Sequence, residues 1–161
     1  MAAVITYPYA SFRFKVEFEG TESAGFSEVS GGDISVEVIE YREGSDARGT
    51  PRKISGLTKY GNITLKWGLV GGLEMMTWLQ SVSATNDKGA DGIVRKSFTI
   101  KSLDVKGNDG PSWEVINAWP CHYTGPDFNG LSSEIAIESL EIAHEGIWRI
   151  DAGESDVASA I

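Results

Sequence analysis

Few residues of this 161-residue chain are equipped for chemistry, and their spacing works against them. Cys121 and His122 place a thiol beside an imidazole, the makings of a nucleophile and its base. They lie in SWEVINAWPCHY, an alternating run that reads as a strand, and strand neighbours point to opposite faces. The other histidine, His144, falls in a different expected strand with no feature to bring it near. The turn GLVGG, Gly68 to Gly72, stands between a strand and a helix, where free backbone amides attract anions. It lacks the Lys-Ser/Thr of a nucleotide loop and a parallel βαβ setting. Glu134, Glu138 and Glu141 offer carboxylate pairs, but in an acidic β-rich chain these make a solvated strand face. Asn62-Ile63-Thr64 is a formal glycosylation sequon, without meaning unless the chain is secreted. Trp67, Trp78, Trp113, Trp119 and Trp148 are scattered over several elements, as core packing requires and a ligand cage does not. A single cysteine excludes an intrachain disulfide and a multi-cysteine zinc site. No catalytic, cofactor-binding or metal site emerges, and an enzyme is the weakest reading.

The elements that would position a site are almost all strands. In SFRFKVEFE, Phe12, Phe14, Val16 and Phe18 alternate with charged residues, which predicts a strand with one buried face. DISVEVIEY alternates through Ile34, Val36 and Val38, then changes phase to Ile39 and Tyr41, the mark of a β-bulge or of a strand covered on both faces. GNITLKWG sets Ile63, Leu65 and Trp67 on one face. Phe98 and Ile100 give way to Leu103 and Val105, and Ile135 and Ile137 give way to Leu140 and Ile142. Three of six expected strands thus change phase, as a coiled barrel requires, or a sheet that meets a neighbour on its outer face. Only GGLEMMTWLQSVSATNDKG has helical spacing, through Leu73, Met76, Leu79 and Val82, with an Asn/Asp/Lys/Gly stop after it.

Length predicts a single domain, residues 1–150, with a small acidic tail over residues 151–161. A net charge of −9 opposes sequence-independent binding to nucleic acid and direct binding to an anionic membrane. The N-terminus has no basic residue before Arg13 and no long apolar run, so cytoplasmic assembly without a signal peptide is expected.

One segment breaks the acidic pattern. Ala47 through Leu73 holds Arg48, Arg52, Lys53, Lys59 and Lys66 and no acid, leaving nine bases against all 23 acids elsewhere. A local basic patch on an acidic protein finds its nearest complement on another copy of the same chain. Glu43 to Gly56 is expected to be a long polar connection carrying part of that patch.

Four stretches, PYASFRFKVEFEG, GFSEVSGGDISVEVIEYREG, PRKISGLTKYGNITLKWG and SSEIAIESLEIAHEG, resemble the tail-tube family of contractile injection systems, related to T-even-type phage tail tubes. The resemblance runs from about Tyr7 to Trp148. It implies an antiparallel β-barrel or sandwich flanked by one short helix, without enzymatic activity or cofactor. It further implies hexameric rings stacked into a hollow inner tube, propelled by sheath contraction. The implied partners are other copies of the chain, a sheath protein, baseplate, spike and cap proteins, and protein cargo or, in a phage, DNA in the lumen. The setting would be a phage tail or an injection particle. In that frame Arg48, Arg52 and Lys53 are candidates for contact between rings, with Asp46 beside them and Lys59 in the same basic run. Gly56, Gly61 and Gly68 are expected to permit turns or close approach. The alternatives are a discrete type VI secretion-like ring and, in a different class, a monomeric ligand-binding β-barrel.

Overall fold

The structure is a computed structural model that describes residues 7–19, 21–22, 25–83 and 94–151. The expected helix stop at residues 86–89 and the tail beyond Asp151 lie outside the described residues. Ten strands and one helix are described: β1 (Phe14–Phe18), β2 (Thr21–Glu22), β3 (Glu28–Gly31), β4 (Ile34–Tyr41), β5 (Arg52–Tyr60), β6 (Ile63–Gly68), α1 (Glu74–Ser83), β7 (Lys96–Leu103), β8 (Asp109–Thr124), β9 (Ile137–Ala143) and β10 (Gly146–Ile150). The strands pair antiparallel in the order β2-β1-β7-β8-β9-β6-β3, with β10 continuing β9 along β8. β4 and β5 form a separate two-stranded sheet.

The sheet curls because β8 carries extra residues. Gly110 and Pro111 oppose Ser102 alone, and Ile116 and Asn117 oppose Ser97 alone. Cys121 has no counterpart on β9, where Pro120 faces Ile142 and His122 faces Glu141. Each bulge bends the strand and increases its twist. At Asn117 the backbone is left-handed (φ 50°), and the side chain donates to Glu145 Oε2 at 2.9 Å across the break between β9 and β10. Buried positions on β8 therefore fall at Gly110, Ser112, Val115, Ala118 and Pro120 instead of strictly every second residue.

The concave face holds the core: Val16, Ile63, Leu65, Phe98, Val115, Ala118, Leu140, Ile142 and Ile147, joined by Trp78 from α1. Trp78 meets Phe18 edge to face at 5.7 Å and donates from Nε1 to the Val94 carbonyl at 2.8 Å. The helix stripe is thus Met75, Trp78 and Leu79, while Leu73, expected on it, precedes the helix and is exposed. Phe12 is also exposed, because β1 begins only at Phe14, and Phe14 is half-buried. Ile135 and Val105 lie outside strands and are exposed. Among the tryptophans only Trp78 is buried; Trp113 lines an open cleft of about 630 Å³ between β3 and the segment entering β1.

On the outer face of β1 and β7, Lys15 stands directly opposite Lys101, a repulsive pairing bridged by two acids. Glu17 reaches Lys15 at 3.1 Å and Lys101 at 2.9 Å, and Asp109 reaches them at 3.0 and 3.2 Å. The hydrogen bond from Lys101 holds the Glu17 carboxyl below its ordinary range, and that from Lys15 does the same for Asp109. Their contribution to stability is complete above the unfolded carboxylate range, about pH 4, and is lost as pH falls through the lower folded values. Urea midpoints followed down the pH scale should therefore show Glu17→Gln less stable than the parent near neutrality, with the gap closing in acid; a constant gap would show that the carboxylate charge has no part in it.

Candidate assembly interface

β4 and β5 project from the barrel through two glycine-bearing joints. Gly31 and Gly32 adopt φ of 98° and 81°, a left-handed region closed to most side chains, and a Cβ on Gly31 would collide with the Asn62 carbonyl. Gly61 donates its N–H to the Asp33 carbonyl at 2.9 Å, and its own carbonyl accepts from Nε2 of buried His144 at 2.8 Å. Asn62 donates to Glu141 Oε1 at 2.8 Å. The joints are fixed to the barrel, and of the hairpin only Tyr60, at its base, packs against the core, with its ring 5.7 Å from that of His144.

Both faces of that hairpin are apolar and open. Ile34, Val36 and Val38 share one face; Ile39, Tyr41 and Ile54 share the other, with Ile39 directly opposite Ile54. Each is about half exposed, and Leu57 is 72% exposed. The phase change expected in β4 is matched by a register shift between Val36 and Val38, but the extra residue sits in β5, where Gly56 and Leu57 oppose Glu37. A two-stranded hairpin is marginal in water by itself, and one with apolar side chains on both faces needs a covering surface.

The basic residues divide between strand and tip. The connection is shorter than the expected Glu43 to Gly56, since β5 already begins at Arg52. Arg52 and Lys53 are thus strand residues, facing Tyr41 and Glu40. Lys59 lies opposite Ser35 near the joint. The tip is organised from within: Asp46 Oδ2 accepts from the Glu43 N–H at 3.1 Å, while Arg42 donates to the carbonyls of Arg48 and Asp46 at 3.0 and 3.3 Å. Asp46 also pairs with Arg52 at 2.7 Å. Asp46 and Arg52 are therefore brought together inside one chain, whereas the Arg48 side chain makes no ion pair with a described residue.

The residues singled out for chemistry are not assembled. Cys121 is exposed, not buried as a small core thiol would be. Partial burial, followed by the nearby Glu141 charge, pushes its thiol up, away from the reactive thiolate. His122 meets Thr124 at 3.3 Å, and His144 is engaged with Gly61. Glu138 is no solvated strand residue: it accepts from Trp67 Nε1 at 2.8 Å and from the Tyr123 hydroxyl at 2.5 Å, and this bond raises the Tyr123 pKa. Among the described residues no group of three His, Cys, Asp or Glu side chains is placed to hold a metal. Sequence reading missed the exposed loop residues Phe128 and Leu131, which lie in a turn cluster without periodicity.

Residues 10–148 match the family of the T4-like virus tail tube protein gp19. Among solved structures, a chain of the PVC sheath-tube complex of an extracellular contractile injection system in its extended state is 29% identical, with 92% of this chain and 95% of that one covered and a TM-score of 0.79. A chain from the anti-feeding prophage cap is 28% identical, covering 94% and 97%, with a TM-score of 0.82. Hcp1 from Flavobacterium johnsoniae shares the fold at 19% identity, covering 87% and 99%, with a TM-score of 0.52. No curated protein matches the sequence.

Proposed function

This chain belongs to the family of T4-like virus tail tube proteins, and on that premise we propose that it is the inner tube subunit of a contractile injection system or phage-like tail. Six copies form a ring, rings stack around a central channel that carries protein cargo or DNA, and sheath contraction drives the tube into its target. The observation that carries this reading is the β4–β5 hairpin, which exposes apolar residues on both faces and, beyond Tyr60 at its base, lies outside the core. Such a surface is built for burial against neighbouring copies, and a contact between unlike patches closes into a ring where its rotation completes a turn and otherwise propagates as a filament. Likeness to chains of sheath-tube, cap and baseplate structures supports a sheath, a cap and a baseplate as the partners. The role is structural, not catalytic. The subunit assembles in the cytoplasm and then forms part of a phage tail or injection particle. No helix of the described residues is long and apolar enough to cross a membrane.

The basic hairpin residues serve contact between rings. Purified protein is expected to form hexameric rings or tubes by light scattering and negative-stain microscopy; a monomeric mass across micromolar concentrations would overturn the proposal. Replacing Arg48, Arg52 and Lys53 with Glu should leave the barrel folded and block stacking, because like charges then meet across every repeat of the contact. Salt should weaken growth of the parent if these charges stay exposed, since screening acts over about 8–10 Å at ordinary ionic strength. Triple-variant tubes as abundant as the parent's at low salt would remove the hairpin charges from the contact.

A further inference from the structure

We propose that the loops at the barrel end opposite the hairpin are the receptor for the hairpin tip of a second copy, with Arg48 seated between Asp127 and Glu134. The inference rests on the tube reading and names the surface that the tip meets.

Strand polarity sets the geometry. β6 runs from Ile63, paired with Gly31 and Ile142, to Gly68, paired with Ile137. The hairpin joints therefore lie at the Ile63 end. The loops over residues 69–73 and 125–136 emerge at the Gly68 end, about 17 Å away along the strand at roughly 3.3 Å per residue. The two loops are tied by the Leu69 N–H, which donates to the Ala136 carbonyl at 2.9 Å. Together they expose Val70 (63%), Leu73 (73%), Phe128 (78%), Leu131 (99%) and Ile135 (78%). Apolar residues gathered in this way mark a surface meant to be covered.

The second loop is shaped. The Leu131 N–H donates to Asn129 Oδ1 at 3.0 Å, and the Glu134 N–H donates to Ser132 Oγ at 3.2 Å. These turns enclose a concavity of about 370 Å³ lined by Asp127, Phe128, Asn129, Glu134, Ile135 and Ile137. Two carboxylates in a mainly polar lining, with Phe128, Ile135 and Ile137 beside them, suit a side chain with an aliphatic stem and a cationic head.

Charge selects the occupant. Asp127 and Glu134 pair with no cation among the described residues; of the hairpin bases Arg48, Lys53 and Lys59, none of which pairs with a described acid, only Arg48 lies in the tip, whereas Arg52 is committed to Asp46. The tip that carries Arg48 also belongs to the hairpin whose two faces need cover. The base of the hairpin and the loops that would receive its tip thus stand at opposite ends of the main sheet, an arrangement that suits a contact propagating along an axis.

Charge exchange tests this. Arg48→Glu and the pair Asp127→Lys with Glu134→Lys are each expected to lower sedimentable tube about tenfold or more at moderate salt, and combining all three is expected to restore it to within about threefold of the parent. Rings and the far-UV spectrum should persist in every variant, which separates a lost contact from a lost fold. Tubes of the Asp127→Lys/Glu134→Lys variant equal to the parent's would overturn the inference, as would failure of the combined variant to recover while its rings remain. If a loop variant fails to fold, cross-linking Arg48→Cys protein to Glu134→Cys protein, both with Cys121→Ser, decides: bridged pairs support the contact, and their absence from parent-like tubes overturns it. A parent that forms neither rings nor tubes would instead overturn the tube reading on which the inference rests.

Discussion

Replacing Ile39 and Ile54 together with Asp should abolish assembly while leaving the barrel folded. The two residues face each other across the hairpin, each about half exposed, so roughly half of each side chain remains for a neighbouring copy to cover. Full burial of an aliphatic side chain contributes about 1.5–3 kcal/mol, and a carboxylate forced into the same contact must be desolvated without a partner. The penalty recurs in every subunit, so light scattering should show small species only. Denaturation midpoints should stay near the parent value, because neither Ile39 nor Ile54 is among the core residues or those packed against them. Normal tubes from this variant would place the hairpin outside every contact; an unfolded variant would make it part of the folding unit.

The largest expected loss of stability is at Phe98. Its ring is 1% exposed and stacks on Phe18 at 5.1 Å, its directly paired neighbour on β1. Phe98→Ala should cost about 3–5 kcal/mol, the transfer term plus a cavity that the rigid sheet cannot close. Phe14→Ala removes a half-buried ring at the cleft and should cost far less, about 1 kcal/mol. Urea unfolding of both variants checks the order. Equal losses would mean that the buried face of β1 is misplaced.

Much of the fold was legible because burial leaves a period in the sequence. Val16, Ile63, Leu65, Phe98, Leu140 and Ile142 all fall where alternation puts them, and all are buried. The errors cluster where a bulge or a strand end breaks the period. β8, which read as the plain alternating run, carries several bulges, so its buried positions fall at uneven intervals that the regular spacing of Trp113, Val115 and Trp119 does not reveal. Phe12, Leu73 and Ile135 extend apolar patterns beyond their elements into turns, where no sheet or helix covers them. The helix was found, but its stripe turned on Trp78, whose bulk reaches the core from a position the aliphatic spacing skipped.

The candidate interface divides in the same way. Charge is a property of composition, so the acid-free basic run from Ala47 to Leu73 could be read directly, as could the apolar residues on both faces of β4. Which base is committed depends on distance: Asp46 and Arg52 are six positions apart in sequence, and only folding of the tip brings them to 2.7 Å, while Arg48 in the same tip pairs with no described acid. The loop over residues 125–136 has no period and so looks like any turn cluster; only the pairing of Gly68 with Ile137 places it at the far end of the barrel from the hairpin. The sequence by itself determined the strands, the buried faces and the charge asymmetry, because these follow from local pattern and composition. The tertiary structure alone decided which surfaces stand at opposite ends of the subunit, because that depends on strand order and register, which link residues far apart in the chain.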